Sequence, residues 1–263
     1  MSAIVLQGEI AHYEVLGRGR PVVFLHTWLG SWRYWIPTMQ AASISFRTYA
    51  LDLWGFGDSA KRTEYYSFDQ QINLLNDFLE QMGIHKIALV GHGLGAIVAL
   101  LFAFRRRQCV DRLMTVGLPN SSPALKARLL TSSPGEFIEW LGNRTTHASV
   151  NGAEAAKTDP AAIQVSLSSL LKLNLPWYAQ QLETPCLYVF GQDDRIIDDD
   201  ITSDSPIQTN EYTQQVIFDQ SGHYPMLDEP SKFQRLLMDF LNFQSAEDLQ
   251  QIQLKEEWKR RIR

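Results

Sequence analysis

The amino-acid sequence predicts an α/β protein with a mostly parallel, doubly wound sheet and a helical insertion. Three observations carry this expectation. Short β-rich apolar runs alternate with stretches of helical periodicity, the grammar of strand–helix–strand units. Some of the runs, such as Val22-Val23-Phe24-Leu25, are apolar at every position, as in strands buried on both faces. Between residues 120 and 184 the strand signals stop, and serines, prolines and short helical stretches replace them. At 263 residues and 45% hydrophobic content the chain can fill one large core of this kind.

Taken in order, residues 4–6 and 11–16 read as two strands joined around Gly8-Glu9. Residues 22–25 form a third strand, and a helix is expected from Ser31, carrying Trp32, Tyr34 and Trp35 and ending near Pro37. Residues 46–51 are a fourth strand that runs into Asp52-Leu53-Trp54-Gly55-Phe56-Gly57-Asp58-Ser59. Ser67 is a natural N-cap with Gln70 as capping-box partner. Ile72, Leu75, Phe78, Leu79 and Met82 share one face of the helix that follows, and Gly83 sits where a C-cap belongs. Residues 87–90 are a strand, 94–104 a helix and 112–116 a sixth strand. The sheet resumes at 186–190, continues at 215–218, and a helix follows over 231–243. In the tail, 244–263, Leu254, Trp258 and Ile262 repeat at helical spacing and predict one packed stripe. Its basic end suits a helix terminus, where cations meet the negative pole of the dipole.

Composition narrows the function. With 24 basic against 29 acidic residues the chain lacks the basic face that nucleic acid requires. Two cysteines, Cys109 and Cys186, are too few for a disulfide framework, and the N-terminus lacks the pattern of a signal peptide. The longest apolar run, 94–104, is half a membrane span, so a cytoplasmic protein without a membrane span is expected. No cofactor is implied. The histidines have no metal-ligand spacing, and Gly55-Phe56-Gly57 lacks the third glycine and acidic partner of a dinucleotide site. Oligomeric state is not legible.

One stretch organises the rest. Gly91-His92-Gly93-Leu94-Gly95 lies between a strand and a helix, the setting of a G-x-S-x-G nucleophile elbow, with glycine at the middle position. Four further motifs stand in order around it: His26-Thr27 after the third strand, Asp52-x-x-Gly55-x-Gly57-x-Ser59, Gly191-x-x-Asp194 and Ser221-Gly222-His223. Together the five resemble the α/β-hydrolase superfamily, in particular its compact members with a helical cap inserted after the sixth strand, over residues 4–243. The resemblance implies a core of 1–119 and 185–243, a cap of 120–184 and a C-terminal helical tail of 244–263.

It also implies a site. Asp194 maps to the acid of the triad, with Asp193 as a substitute, and His223 maps to the base. The oxyanion hole maps to the backbone N–H groups of Trp28 and Leu94, and His26 and His92 read as buried structural residues. Candidate substrate-binding residues are Thr27, Trp32, Phe137, Trp140, Trp177 and Tyr224, with Trp28, for a small apolar ligand bearing a carbonyl or carboxyl group. Two positions depart from the pattern: Gly93 stands at the nucleophile position, and Thr27 replaces the glycine that follows the histidine. Acyl transfer needs an oxygen or sulfur at the elbow. Three readings stay open: hydrolase-type or general-base chemistry by the His223–Asp194 pair, a ligand-binding pseudoenzyme, and a serine hydrolase carrying a nucleophile substitution. If position 93 alone is at fault, Gly93→Ser introduces burst turnover of a short p-nitrophenyl ester. It also lowers stability by about 1 kcal/mol through strain at the elbow, read by thermal unfolding.

Overall fold

The computed structural model describes residues 2–119, 136, 139–140, 154–197 and 210–254. Eight strands make one sheet: β1 (Ser2–Leu6), β2 (Glu9–Gly17), β3 (Arg20–Leu25), β4 (Phe46–Leu51), β5 (Ile87–His92), β6 (Val110–Val116), β7 (Cys186–Gly191) and β8 (Thr213–Phe218). Their order is β1-β2-β4-β3-β5-β6-β7-β8. The first two strands pair antiparallel at one edge, and every pair from β4 to β8 is parallel. This is the mostly parallel sheet that the sequence predicts. The chain passes from β3 to β4 on one side and returns to β5 on the other, so β3 lies at a switch point of the winding. The crevice beyond the carboxyl ends of the strands at such a point is where open α/β sheets hold ligands.

Alternation along the strands sorts the core into two layers. Val23, Leu25, Leu51, Leu89 and Leu113 face one side, with α2 (Phe68–Gln81) and α3 (Leu94–Arg105). Val22, Phe24, Ala50, Val90 and Met114 face the other, with α1 (Ile36–Ala42) and a later helix over Pro230–Asn242. The α3 helix is apolar around its whole circumference and buried from Leu94 to Ala103, as a helix enclosed on all sides must be. Gly91 and Gly95 permit its close seat: a Cβ on Gly91 would lie 2.3 Å from the Gly95 carbonyl oxygen, and one on Gly95 2.5 Å from that of Leu25.

Two helical expectations are corrected. The segment after Ser31 is a 3-10 turn, Trp32–Trp35, and the α-helix begins at Ile36 with Pro37 in its first turn. Proline lacks only an N–H that a first turn leaves unpaired, so here it starts a helix where an ending was expected. Further on, α4 (Pro160–Leu170), α5 (Leu175–Gln180) and a short α6 (Pro225–Asp228) precede α7 (Pro230–Asn242). In the tail, α8 (Ala246–Gln250) starts with a Ser245–Asp248 capping box and stops before Leu254. Among the described residues of the tail Leu249 and Ile252 are buried, while Trp258 and Ile262 of the expected stripe lie outside the described residues. Of the short helical stretches that the sequence predicts in 120–184, the one at 123–130 and most of the one at 136–141 also lie outside the described residues.

The Asp52–Ser59 loop is tied down by one buried carboxylate. Asp52 Oδ1 accepts from the Trp32 amide at 2.8 Å, and Oδ2 accepts from the Asp58 amide at 2.9 Å and from His12 Nδ1 at 3.0 Å. Ser59 Oγ donates to the Asp52 carbonyl and accepts from the His12 amide. Burial by itself would lower the His12 pKa. The hydrogen bond and charge of Asp52, with Asp58 and Glu14 adding to them, more than offset that and hold it above its ordinary 6.5. A raised folded-state pKa gives stability that is complete below about pH 6.5 and is lost as pH rises through the higher folded value. His12→Gln therefore narrows the stability difference from the parent as pH is raised from about 6 to about 9, measured by urea unfolding. A difference that is constant across that range removes the charged His12–Asp52 pair.

Candidate active site

Parallel register places the candidate residues. Leu25 of β3 pairs with Gly91 of β5, so Thr27 and Gly93, each two residues on, emerge opposite one another. His92 pairs with Val116 of β6, and Gly191 of β7 with Phe218 of β8. Asp194 and His223 follow in the loops after those last two strands, so all four positions open at the carboxyl edge of the sheet.

His223 Nδ1 and Asp194 Oδ2 are 2.8 Å apart, both side chains nearly fully buried. The other carboxylate oxygen, Oδ1, accepts from the amides of Ile196 at 2.9 Å and Ile197 at 3.3 Å. Asp194 is thus held on both oxygens. A carboxylate only accepts, so Nδ1 carries the ring hydrogen, and in the neutral imidazole Nε2 then keeps its lone pair. Asp193, the neighbour of Asp194 in the sequence pattern, is exposed. Of the two carboxylates, Asp194 is the one that the structure pairs with His223.

The elbow has the expected backbone. Gly93 sits at φ +52° between β5 and α3, its amide donating to the Val116 carbonyl at 2.9 Å. Among the described residues no acceptor takes the amide hydrogen of Leu94 or of Trp28, the two expected oxyanion donors. The space above Gly93 is not open. A Cβ built on Gly93 would lie 2.0 Å from Thr27 Oγ1 and 2.9 Å from Thr27 Cβ. Thr27 Oγ1 lies 3.3 Å from His223 Nε2. The expectation that Gly93→Ser alone restores a working elbow is therefore corrected. Because Thr27 Cβ is also too close, turning its hydroxyl away does not clear the site, and residue 27 must shrink as well.

Thr27 is fixed through its backbone. Its amide donates to the Tyr34 hydroxyl at 2.9 Å, and that hydroxyl bonds to His92 Nδ1 at 3.0 Å. His92 Nε2 donates to the His223 carbonyl at 2.8 Å. Nε2 therefore bears the His92 hydrogen, Nδ1 accepts, and the phenol relays one bond to the next. One histidine thus ties the chain at Thr27 to the chain at His223. Burial, with the neighbouring His223 ring, holds the His92 pKa well below 6.5, so the link stays uncharged. His26 is satisfied in the same way, Nδ1 donating to the Thr27 carbonyl at 2.8 Å and Nε2 accepting from the Leu53 amide at 3.0 Å. Both histidines are buried and hydrogen-bonded, as the sequence suggested. The Tyr34 link was not legible, since nothing in sequence distinguishes it from its aromatic neighbours.

The aromatic candidates divide. Trp28 is buried, and its indole donates to Ser166 Oγ on α4 at 3.0 Å. Tyr224 packs beneath the site, edge-on to His92 at 4.8 Å and to His223 at 5.3 Å between ring centres. Trp32 packs beside His12, with 5.7 Å between ring centres. Trp140 is half-buried against the first core layer. Trp177 is corrected as a lining residue: it is 45% exposed and packs on Phe104, near the far end of α3 from the elbow. Phe137 lies outside the described residues. Neither cysteine is near the site; Cys186 opens β7 at its amino end, and burial raises its thiol pKa. Among the described residues one group, His12, Asp52 and Asp58, is close enough to share a metal ion. Lys157 Nζ lies 2.9 Å from Asp58 Oδ1 and Arg33 3.7 Å from Oδ2, so side chains already supply positive charge there.

The Tyr34 link generates a prediction. Tyr34→Phe leaves the buried Thr27 amide and His92 Nδ1 without their shared partner, and is expected to cost about 2 kcal/mol in urea unfolding. An unchanged midpoint with an unchanged slope would remove Tyr34 from this role.

Comparison with known proteins bears on the fold. A family model described as alpha/beta hydrolase fold matches residues 20–148, a span that includes the elbow. The chain is 26% identical over 249 residues to the pimeloyl-[acyl-carrier protein] methyl ester esterase of Vibrio campbellii, covering 84% of this chain and 94% of the relative. It is 24% identical over 271 residues to human epoxide hydrolase 4, covering 88% and 75% of the two chains. Among solved structures, a hydrolase from Pseudomonas aeruginosa PA01 superposes with a TM-score of 0.77 at 16% identity, over 92% of this chain and 98% of that one. An eight-stranded sheet wound in this order, a glycine at positive φ after its fifth strand, and a shared fold over nearly the whole length show that this protein has the α/β-hydrolase fold and resembles the superfamily of that name.

Proposed function

We propose that this protein is a hydrolase acting on a small, largely apolar carbonyl compound, an ester in the first instance. The reading rests on one observation: the buried His223–Asp194 pair at 2.8 Å, with its free nitrogen turned toward Thr27 and the elbow. Such a pair orients the imidazole and stabilises the imidazolium that forms when it takes a proton. His223 is the general base, Asp194 positions it, and the amides of Trp28 and Leu94 are the donors for a developing oxyanion. The names of the relatives, a methyl ester esterase and an epoxide hydrolase, favour the same reaction class.

We assign the core to 1–119 and 185–243 and a cap to 120–184. Supporting the cap, Ala162, Ile163 and Leu167 of α4 join the first core layer. The Asp159 amide bonds the Gly55 carbonyl at 2.8 Å, and Trp28 bonds Ser166. A cap seated this way excludes water, which strengthens every charge interaction beneath it.

A second reading, a binder of carbonyl or carboxylate ligands, is favoured by the closed site, where Thr27 is 1% and His223 5% exposed. The two separate cleanly. If the protein is a hydrolase, His223→Ala and Asp194→Asn lower kcat/KM on p-nitrophenyl acetate by roughly 10²–10⁴-fold, while affinity for an unreactive ketone analogue stays within a few fold. Turnover that survives His223→Ala intact removes the base. An inert parent that binds the ketone leaves the binder.

A further inference from the structure

We propose that the nucleophile of this protein is Thr27 Oγ1, carried on the loop after β3 instead of at the elbow. The proposal rests on the hydrolase reading above and names the attacking atom that it leaves open. The two departures from the family pattern then become one compensated change. Gly93 removes a side chain, and Thr27 puts a hydroxyl into the volume that side chain would fill, 2.0 Å from where its Cβ would stand.

Three observations carry the assignment. Thr27 Oγ1 is 3.3 Å from His223 Nε2, the nitrogen left unprotonated by the bond to Asp194, so the hydroxyl is the donor and is polarised for attack. Catalytic bonds of this length tighten when substrate is bound. Next, the Thr27 backbone is held at every polar atom: its amide by Tyr34, its carbonyl by His26 Nδ1 and by the Gly30 amide at 3.2 Å. Within that turn Leu29 sits at φ +60°, a conformation that non-glycine residues rarely adopt and that persists only where the surroundings enforce it. Finally, the amides of Trp28 and Leu94 have no acceptor among the described residues. One follows the nucleophile directly and the other comes from the opposite loop, the usual arrangement with its two sides exchanged.

The chemistry balances with an ester and water alone. Thr27 Oγ1 forms a bond to the carbonyl carbon while its proton passes to His223 Nε2, and the carbonyl π pair moves onto oxygen. Collapse breaks the bond to the leaving alkoxide, which takes that proton from His223. A water then gives a proton to His223, attacks the acyl-threonine, and releases the acid as Thr27 Oγ1 regains the proton. Threonine is an established type of nucleophile when an adjacent base activates it.

The test uses the full chain, p-nitrophenyl acetate, and mass spectrometry of the acid-quenched reaction. The expected result is an acetyl group on the tryptic peptide containing Thr27. Thr27→Val, of the same shape without the hydroxyl, loses the adduct and lowers kcat/KM by about 10²-fold or more. Thr27→Ser retains both adduct and turnover, and a Thr27→Val variant with the parent's melting temperature excludes misfolding. Turnover that survives in Thr27→Val but is lost in His223→Ala overturns the proposal and leaves the hydrolase reading, with water as the attacking species. An inert parent overturns both where the double variant Thr27→Gly/Gly93→Ser hydrolyses the ester, since the base is then competent and the threonine is a plug. A parent that neither turns over the ester nor takes up an alkyl fluorophosphonate at Thr27 likewise overturns both.

Discussion

The parallel pairing of β3 with β5 sets everything above it. With Leu25 opposite Gly91, the loops that leave these strands cannot avoid each other, and residues 27 and 93 share one small volume. The helix after the elbow must also return across the same two strands, and it does so in near-contact with the Leu25 and His26 carbonyls. Gly95 satisfies this packing through its amide, which donates to the His26 carbonyl at 3.0 Å. Backbone sits against backbone, with no side chain between to absorb a change.

Above that frame, the buried polar groups that join Thr27 to His223 are answered one by one. An unpaired amide or imidazole nitrogen costs about 1–3 kcal/mol in such surroundings, comparable to a sizeable share of the stability of a whole domain. The series Thr27, Tyr34, His92, His223 avoids that cost by serving each donor with one acceptor. Its members come from the segment after β3, the end of β5 and the loop after β8, so satisfying the bonds also fixes the distances among these three. Precision of that kind suits a site in which small misplacements change rates strongly.

Much of this was legible in the sequence. Strand runs such as 22–25 and 46–51 declare themselves by β-branched and aromatic content, and they match β3 and β4 within two residues. That Asp194 and His223 come together was legible because Gly191-x-x-Asp194 and Gly222-His223 stand at strand ends, and the two side chains meet at 2.8 Å. Pro37 misled, since a proline reads as an ending until the turn before it is seen. The place of Trp177 was hidden because an aromatic residue in a helical stretch carries no sign of which side it faces. Thr27 was legible as an anomaly, whereas its overlap with position 93 depends on a contact between residues 66 positions apart, which no local pattern encodes.

That overlap has a consequence for how such a chain can change. Positions 27 and 93 exclude one another: a side chain at 93 and a threonine at 27 cannot occupy the same volume. A serine elbow and this arrangement are therefore not joined by a single substitution. Any route between them passes through a chain with glycine at both places, which has no hydroxyl beside the histidine, or through one in which both side chains crowd the site. The two positions behave as one heritable unit, and the barrier between its two states lies in the intermediate.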